Sequence, residues 1–275
     1  MTTKLMSIFT RTPLHVGCGA SVGAVDAPIT RERHTRFPVI PGSSIKGVLA
    51  DLWLDEIFQR NDDGKVYFGE DNNDAKAKAG KLAFGEAKLL AFPVRSAKGC
   101  FAFITSPLCL ERFKRDSGLN LLVPELGQGQ KCLAGSDVVF AEQNAVILEE
   151  YRFNNCGEFP SDWAEKLTTL ADDAVLNGGK NRFVLINDED MKFFAENACQ
   201  ISQHVSINSQ TGTAENGKLF NQEEVPSETL FYASITELDK NVDYTNFINK
   251  FKETSLVQFG GKGTTGIGYC SVKLI

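Results

Sequence analysis

The chain has 275 residues, 42% hydrophobic and 23% charged, which excludes disorder as its main state and allows one large domain with insertions or two small ones. A net charge of -6 argues mildly against a nucleic-acid binder, but binding follows local patches, and basic residues cluster at Arg31, Arg33 and Arg36, at Lys76, Lys78 and Lys81, and at Arg112, Lys114 and Arg115. Seven scattered cysteines without a C-x-x-C pair read as reduced cytosolic thiols, and three histidines without ligand spacing argue against structural zinc.

The opening MTTKLMSIFTRTPLHVG lacks the apolar run of a secretory signal, and no stretch approaches the roughly 18–20 apolar residues of a membrane span. A soluble, cytoplasmic protein that engages no membrane is expected. Lys4 to Val16 has strand content and ends in the turn Gly17-Cys18-Gly19; a loop follows to about Pro41. Gly42-Ser43-Ser44 signals a helix start with serine as N-cap. Ile45, Val48, Leu49, Leu52 and Ile57 recur at helical spacing, so one helix is expected to reach Arg60-Asn61, with Trp53 in the core. Residues 61–81 read as a polar surface insertion.

Strand signals fill Lys81 to Thr105, and a short helix is expected at Leu108 to Phe113. Residues 116–137 are glycine-rich and polar. A strand pair is expected at Val138 to Arg152, a helix at Asp162 to Leu176, a short strand at Phe183 to Ile186 and a helix at Asp188 to Cys199. His204 to Tyr232 reads as a hairpin with a polar tip at 210–217, in which Phe220 is a core residue. Tyr244 to Phe251 is an amphipathic helix, Gln258 to Gly268 a glycine loop and Tyr269 to Ile275 a closing strand. With insertions removed, the order is β-α-β-β-α-β, the ferredoxin-like α+β pattern that also underlies the RNA-recognition module. Fold alone does not fix function.

Three features carry chemistry. Gly261-x-Gly263-x-x-Gly266 imitates a dinucleotide fingerprint, but only nine residues follow it and they read as strand, so the required helix and distal acid have no room. A nucleotide-dependent oxidoreductase is therefore disfavoured. The loop either offers bare N–H groups, with Lys262, to an anionic backbone, or is a turn needing positive φ. Second, Lys46 at a helix start opposes the macrodipole unless an anion meets it; with Ser43 and Ser44 it suits a phosphate, against the plainer reading of a solvated lysine. Arg31, Arg33 and Arg36 add charge for a phosphate backbone, or form a solvated loop. Third, Asp26 sits in Asp-Ala-Pro, a good turn sequence, and is either a turn residue or a catalytic carboxylate. Glu223, beside Glu224, is a second candidate carboxylate or a strand end, and His15 a proton shuttle, an RNA contact or a structural residue.

The stretches LHVGCG, VDAPITRE and PVIPGSSIKG within residues 14–47 resemble the RAMP superfamily of CRISPR proteins. LAFGEAKLLAFPVRSAKGCFAFITSPLCLERF, GKLFNQEEVPSETLFYASI and FGGKGTTGIGYCSV resemble its backbone subunit of the Cmr, or type III-B, RNA-guided effector. The departure is FGEA at 84–87, where Phe-Gly-Asp-Ala is the pattern. The resemblance implies one RAMP domain over 1–275. Its palm core would span 1–60, 82–113 and 230–275, with insertions at 61–81 and 114–201 and a protruding thumb hairpin at about 202–226. It implies copies stacked in a helical filament along a guide CRISPR RNA, with a small helical subunit, a polymerase-like large subunit and capping RAMP subunits as further partners. Ser43, Ser44 and Lys46, and Gly260, Gly261, Lys262, Gly263 and Gly266, would hold the guide. The thumb would distort complementary target RNA, cut at regular intervals beside Asp26 with a divalent metal, Mg²⁺ or Mn²⁺. The same residues leave room for a non-catalytic scaffold or a precursor-processing endoribonuclease.

Overall fold

The computed structural model describes residues 2–19, 23–56, 59–70, 78–127, 129, 131–208 and 210–275. In chain order its elements are β1 (Thr3–Thr10), α1 (Gly42–Ala50), α2 (Asp62–Phe68), β2 (Leu82–Phe84), β3 (Lys88–Ser96), β4 (Cys100–Thr105), α3 (Pro107–Ser117), β5 (Lys131–Ala134), β6 (Ala145–Leu148), β7 (Tyr151–Glu158), α4 (Ser161–Thr168), α5 (Ala174–Asn177), β8 (Phe183–Leu185), α6 (Asp188–Asn197), β9 (Gln200–Ile207), β10 (Ala214–Glu224), β11 (Leu230–Glu237), α7 (Thr245–Glu253), β12 (Leu256–Gln258) and β13 (Tyr269–Leu274).

β1 lies between β11 and β13, antiparallel to both. Strand alternation sends Met6 and Ile8 into one core and Leu5 and Phe9 into another. A strand covered on both faces must satisfy any polar side chain it buries. Ser7 donates to the Leu170 carbonyl, and Thr10 Oγ1 to the Pro226 carbonyl at 2.9 Å. The sheet continues from β13 to β12 on one side, and β11 pairs with β2 and the first half of β3 on the other. The core containing Met6 and Ile8 takes in Ile45 and Leu49 of α1 and Phe247 and Phe251 of α7.

Beyond Ala91, β3 leaves that sheet and pairs with β4. A ring then runs β3-β4-β8-β5-β7-β6 and closes through the Ser96–Leu148 bridge back onto β3. Closure leaves these six strands no open edge. β3 thus joins ring and open sheet. Against the far side, α3 and α4 bury Phe113 and Trp163 with Tyr232 and Phe9.

Several expectations are corrected. The helix from Gly42 does not reach Arg60: α1 ends at Ala50, a 3-10 turn covers Asp51–Trp53, and Ile57 lies outside the described residues. Serine is not its N-cap; Pro41 is, without a side-chain cap bond. Gly42 opens the helix at a point where a Cβ would stand 2.3 Å from the Phe84 carbonyl oxygen, so no side chain fits there. Residues 61–81 are not only surface: α2 buries Tyr67 and Phe68 against Trp53 and Phe247. Residues 71–77 lie outside the description. β5 emerges from the polar stretch, and 162–176 is two helices. The hairpin is β9–β10 alone, while β11, which begins inside the range expected for it, belongs to the main sheet. α3 is longer than expected because Ser106 caps it, Pro107 opens it and Gly118 ends it in the left-handed region. Among the described residues no helix is long and apolar enough to cross a membrane.

Burial holds the Cys109 and Cys132 thiols up at about 12 and that of Cys199 at about 11, so they stay protonated at neutral pH. A thiol reagent at neutral pH is expected to label Cys18, Cys100 and Cys156, which are exposed, and to spare buried Cys109, Cys132 and Cys270 until denaturant is added; peptide mapping by mass spectrometry reads this. Phe183 stacks between Phe103 (5.2 Å) and Phe159 (5.4 Å), so Phe183→Ala should cost about 3–5 kcal/mol in urea unfolding.

Candidate nucleic-acid interface and cleavage site

Segment 23–31 lies between two neighbours. Ile29 bridges Gly17 on one side, and Ala27 bridges Gln222 on the other. Beyond it, Leu14 and Val225 exchange backbone bonds at 2.8 Å, so the segment is clasped where β10 leaves the body. Asp26 sits exposed in this clasp, and its Oδ2 accepts the Asn221 N–H at 2.8 Å. The carboxylate is therefore tied to the hairpin root. It lines an open cleft of about 370 Å³ with His15, Gly17, Gly19, Ala27 and Phe220.

His15 Nδ1 lies 2.7 Å from the Glu223 carbonyl oxygen. A carbonyl only accepts, so Nδ1 carries the proton and a neutral ring keeps its lone pair on Nε2. Gly17 allows this placement, since a Cβ there would lie 2.7 Å from Nε2. The structure thus brings Asp26 and His15 to one cleft.

Glu223 and Arg31 do not join them at the surface. Glu223 is only 7% exposed; its Oε2 accepts the Ile29 N–H at 3.1 Å and its Oε1 pairs with Arg31. The Arg31 guanidinium also donates to the Ala195 carbonyl (2.7 Å), the Arg36 carbonyl (2.8 Å) and Cys199 Sγ (3.3 Å). Those donors serve the protein rather than a phosphate. Arg33 and Arg36 are exposed, Arg36 pairing with Glu196 at 2.9 Å. Ser43 and Ser44 occupy the first turn of α1 and Lys46 opens the second; none lines the cleft. No acid opposes an anion in that first turn.

The glycine loop divides into two kinds of position. Gly260 has φ +76°, and a Cβ there would stand 2.1 Å from the His15 carbonyl oxygen, so it packs against the cleft wall. Gly261 donates to that oxygen at 3.2 Å but has open space where a Cβ would go, as does Gly266. A Cβ on Gly263 would press on the Gln258 side chain. Gln258 Nε2 ties the loop together by donating to the carbonyls of Phe259, Gly260 and Ile267, each at 3.1 Å. Lys262 holds φ +62° and sets its Nζ 4.8 Å from the Phe220 ring centroid. Phe220 is not a core residue: it is 38% exposed and stacks on His204 at 5.1 Å. Reading the loop alone could not show that it faces a hairpin about forty residues earlier in sequence.

Among the described residues no three His, Cys, Asp or Glu side chains are grouped to hold a metal ion. Asp26 offers one exposed carboxylate. A Mg²⁺-like ion needs only one or two, filling its remaining positions with water and substrate phosphate oxygens, so this donor set fits such an ion in company with RNA.

The profile of the RAMP superfamily matches residues 8–271, and the chain belongs to that superfamily. It is 35% identical to the CRISPR system Cmr endoribonuclease Cmr4 of Pyrococcus furiosus over 300 aligned residues, covering 100% of this chain and 96% of the relative. The crystal structure of oligomeric Cmr4 from Pyrococcus furiosus superposes with a TM-score of 0.73 at 29% identity, covering 100% and 98% of the two chains. A chain of the type III-B Cmr-beta complex bound to cognate target RNA shares the fold, with a TM-score of 0.77 at 21% identity over 100% and 97%. The family expected from the motifs is the family found.

The two kinds of glycine give a separable test. Gly260→Ala is expected to lower the melting temperature, because both its φ and its space forbid a side chain. Gly261→Ala should leave the melting temperature unchanged, so any loss of RNA affinity in a filter-binding assay would report close approach of RNA to the open face at Gly261.

Proposed function

We propose that this chain is the backbone subunit of a type III-B CRISPR effector, stacking on a guide CRISPR RNA and cleaving complementary target RNA at regular intervals. One observation carries the cleavage reading: the exposed Asp26 carboxylate accepts the Asn221 N–H at the hairpin root, so the candidate cutting group and the protruding element share one frame. β9–β10 is a two-stranded sheet off the main one, with Ile201, Val205, Ile207 and Leu219 each 46–59% exposed. That suits a thumb pushed between stacked bases. The order β13-β1-β11-β2, flanked by α1 and α7, supports a ferredoxin-like palm in a single RAMP domain. The ring strands β5 to β8 then lie in the insertion at 114–201. The other effector subunits are its assembly partners, and the cytoplasm its place.

RNA carries its own nucleophile, the 2'-OH, which must be aligned with the departing 5'-oxygen. Distortion by the hairpin would supply an alignment that A-form RNA lacks. Asp26 would orient the strand at the distorted phosphate, and His15 Nε2 offers a lone pair for the 2'-OH proton. Asp26 would also hold a Mg²⁺ or Mn²⁺ ion, whose charge would stabilise the scissile phosphate in the transition state. Lys46, Ser43 and Ser44, the open glycines and Lys262 would contact the guide backbone. Glu223 and Arg31 act in this reading through the segment they hold.

The test is the assembled complex with guide and labelled complementary RNA, wild type against Asp26→Ala, with Mg²⁺ or Mn²⁺ and with EDTA. Periodic cutting should fall by about 100-fold or more in the variant and in EDTA, while target binding is retained. Cutting undiminished by Asp26→Ala would leave the chain as a scaffold and place cleavage elsewhere.

A further inference from the structure

We infer that Arg31 is a positioning residue that sets where the target strand is cut, by clamping the Asp26 segment to both roots of the hairpin. The inference rests on the functional reading above.

Arg31 lies five residues after Asp26, and its side chain is only 5% exposed. One end of its fork reaches Glu223 Oε1 at 2.5 Å, next to the last residue of β10. The same Nη2 meets Cys199 Sγ, directly before β9 begins at Gln200, and Nη1 meets the Ala195 carbonyl in the last turn of α6. One guanidinium therefore touches the entry and the exit of the hairpin. Its second Nη1 bond, to the Arg36 carbonyl, closes the loop that Arg31 begins.

Glu223 completes the clamp. Its N–H donates to the Ala27 carbonyl at 3.0 Å, its Oε2 accepts the Ile29 N–H, and its carbonyl accepts from His15. Asp26 itself is tied to Asn221. Thus residues 26, 27, 29 and 31 are each bonded to residues 221–223. A buried ion pair is a poor device for stability, because apolar residues of like volume often serve as well. An apolar pair, however, could neither hold the Ile29 N–H nor reach both roots. Lysine could not span them either, since its ammonium is a point charge rather than a planar fork.

The consequence is geometric. If the hairpin distorts the target strand, the clamp fixes the offset from that distortion to the Asp26 carboxylate, and only one phosphate fits. Loosening the clamp should lower the rate and let neighbouring phosphates be cut.

The experiment uses the assembled complex with guide and end-labelled complementary RNA, scored at single-nucleotide resolution under single-turnover conditions. Arg31→Met with Glu223→Met removes both charges together and leaves no lone buried ion. This double variant should bind target as the parent does, cut about 100-fold more slowly, and spread its residual cuts onto adjacent phosphates. Arg31→Lys should show the same spread with a smaller loss of rate. Parental rate and parental cut sites in the double variant would overturn the inference. Should the double variant fail to assemble, Arg31→Lys decides by the same two readouts: an unspread, parental pattern overturns it. Asp26→Ala runs alongside. If that complex still cuts, the functional reading fails; if it is silent while the Arg31 variants cut as the parent does, only the clamp fails.

Discussion

A single buried carboxylate holds the site together. Glu223 meets His15, Ala27, Ile29 and Arg31 through its backbone and its side chain. Two neighbouring segments from the start of the chain converge on it, His15 lying 208 and Ile29 194 residues away in sequence. β10 keeps its ladder with β9 there, but the two incoming segments have none and meet the hairpin through isolated bridges. Irregular backbone of this kind keeps its shape only when its polar groups are matched one by one. Removing one partner of such a pair costs about 3–5 kcal/mol, because the other charge is left buried and unpaired.

That node is carried by a stiff body. β1 is covered on both faces, and β3 runs from the open sheet into the closed ring, so neither unit can shift without straining the other. β11 pairs with β1 in the same sheet and follows the hairpin by a short link, which brings β10 back to the edge of this body. The hairpin then projects with apolar side chains exposed on one face, while its root is polar, hydrogen-bonded and fixed. Stiff root and open tip suit an element that must deform a partner without deforming itself.

Much of this was legible beforehand. The strands at 3–10 and 269–274 and the helices near 188 and 245 carry local signals: alternation, caps and amphipathic spacing. The hairpin was marked by its polar tip at 210–217. The short strand β5 was hidden because its register comes from β7 and β8 rather than from its own four residues. Arg31 looked like a phosphate ligand because a basic cluster in a loop carries no mark of which member is buried. Phe220 looked like core because an aromatic in a strand usually is.

The sequence by itself determined the family, the α+β class, and Asp26 as a candidate carboxylate. Those rest on local order: motif wording and spacing. Only the tertiary structure decided which charges face solvent and which face each other. Arg31 and Glu223 are 192 residues apart, and their pairing exists only once the hairpin returns beside segment 23–31. It likewise decided that Gly260 packs on His15 while Gly261 stays open. Burial and partnership depend on long-range contacts, and those are fixed by how the sheets close rather than by any short stretch of chain.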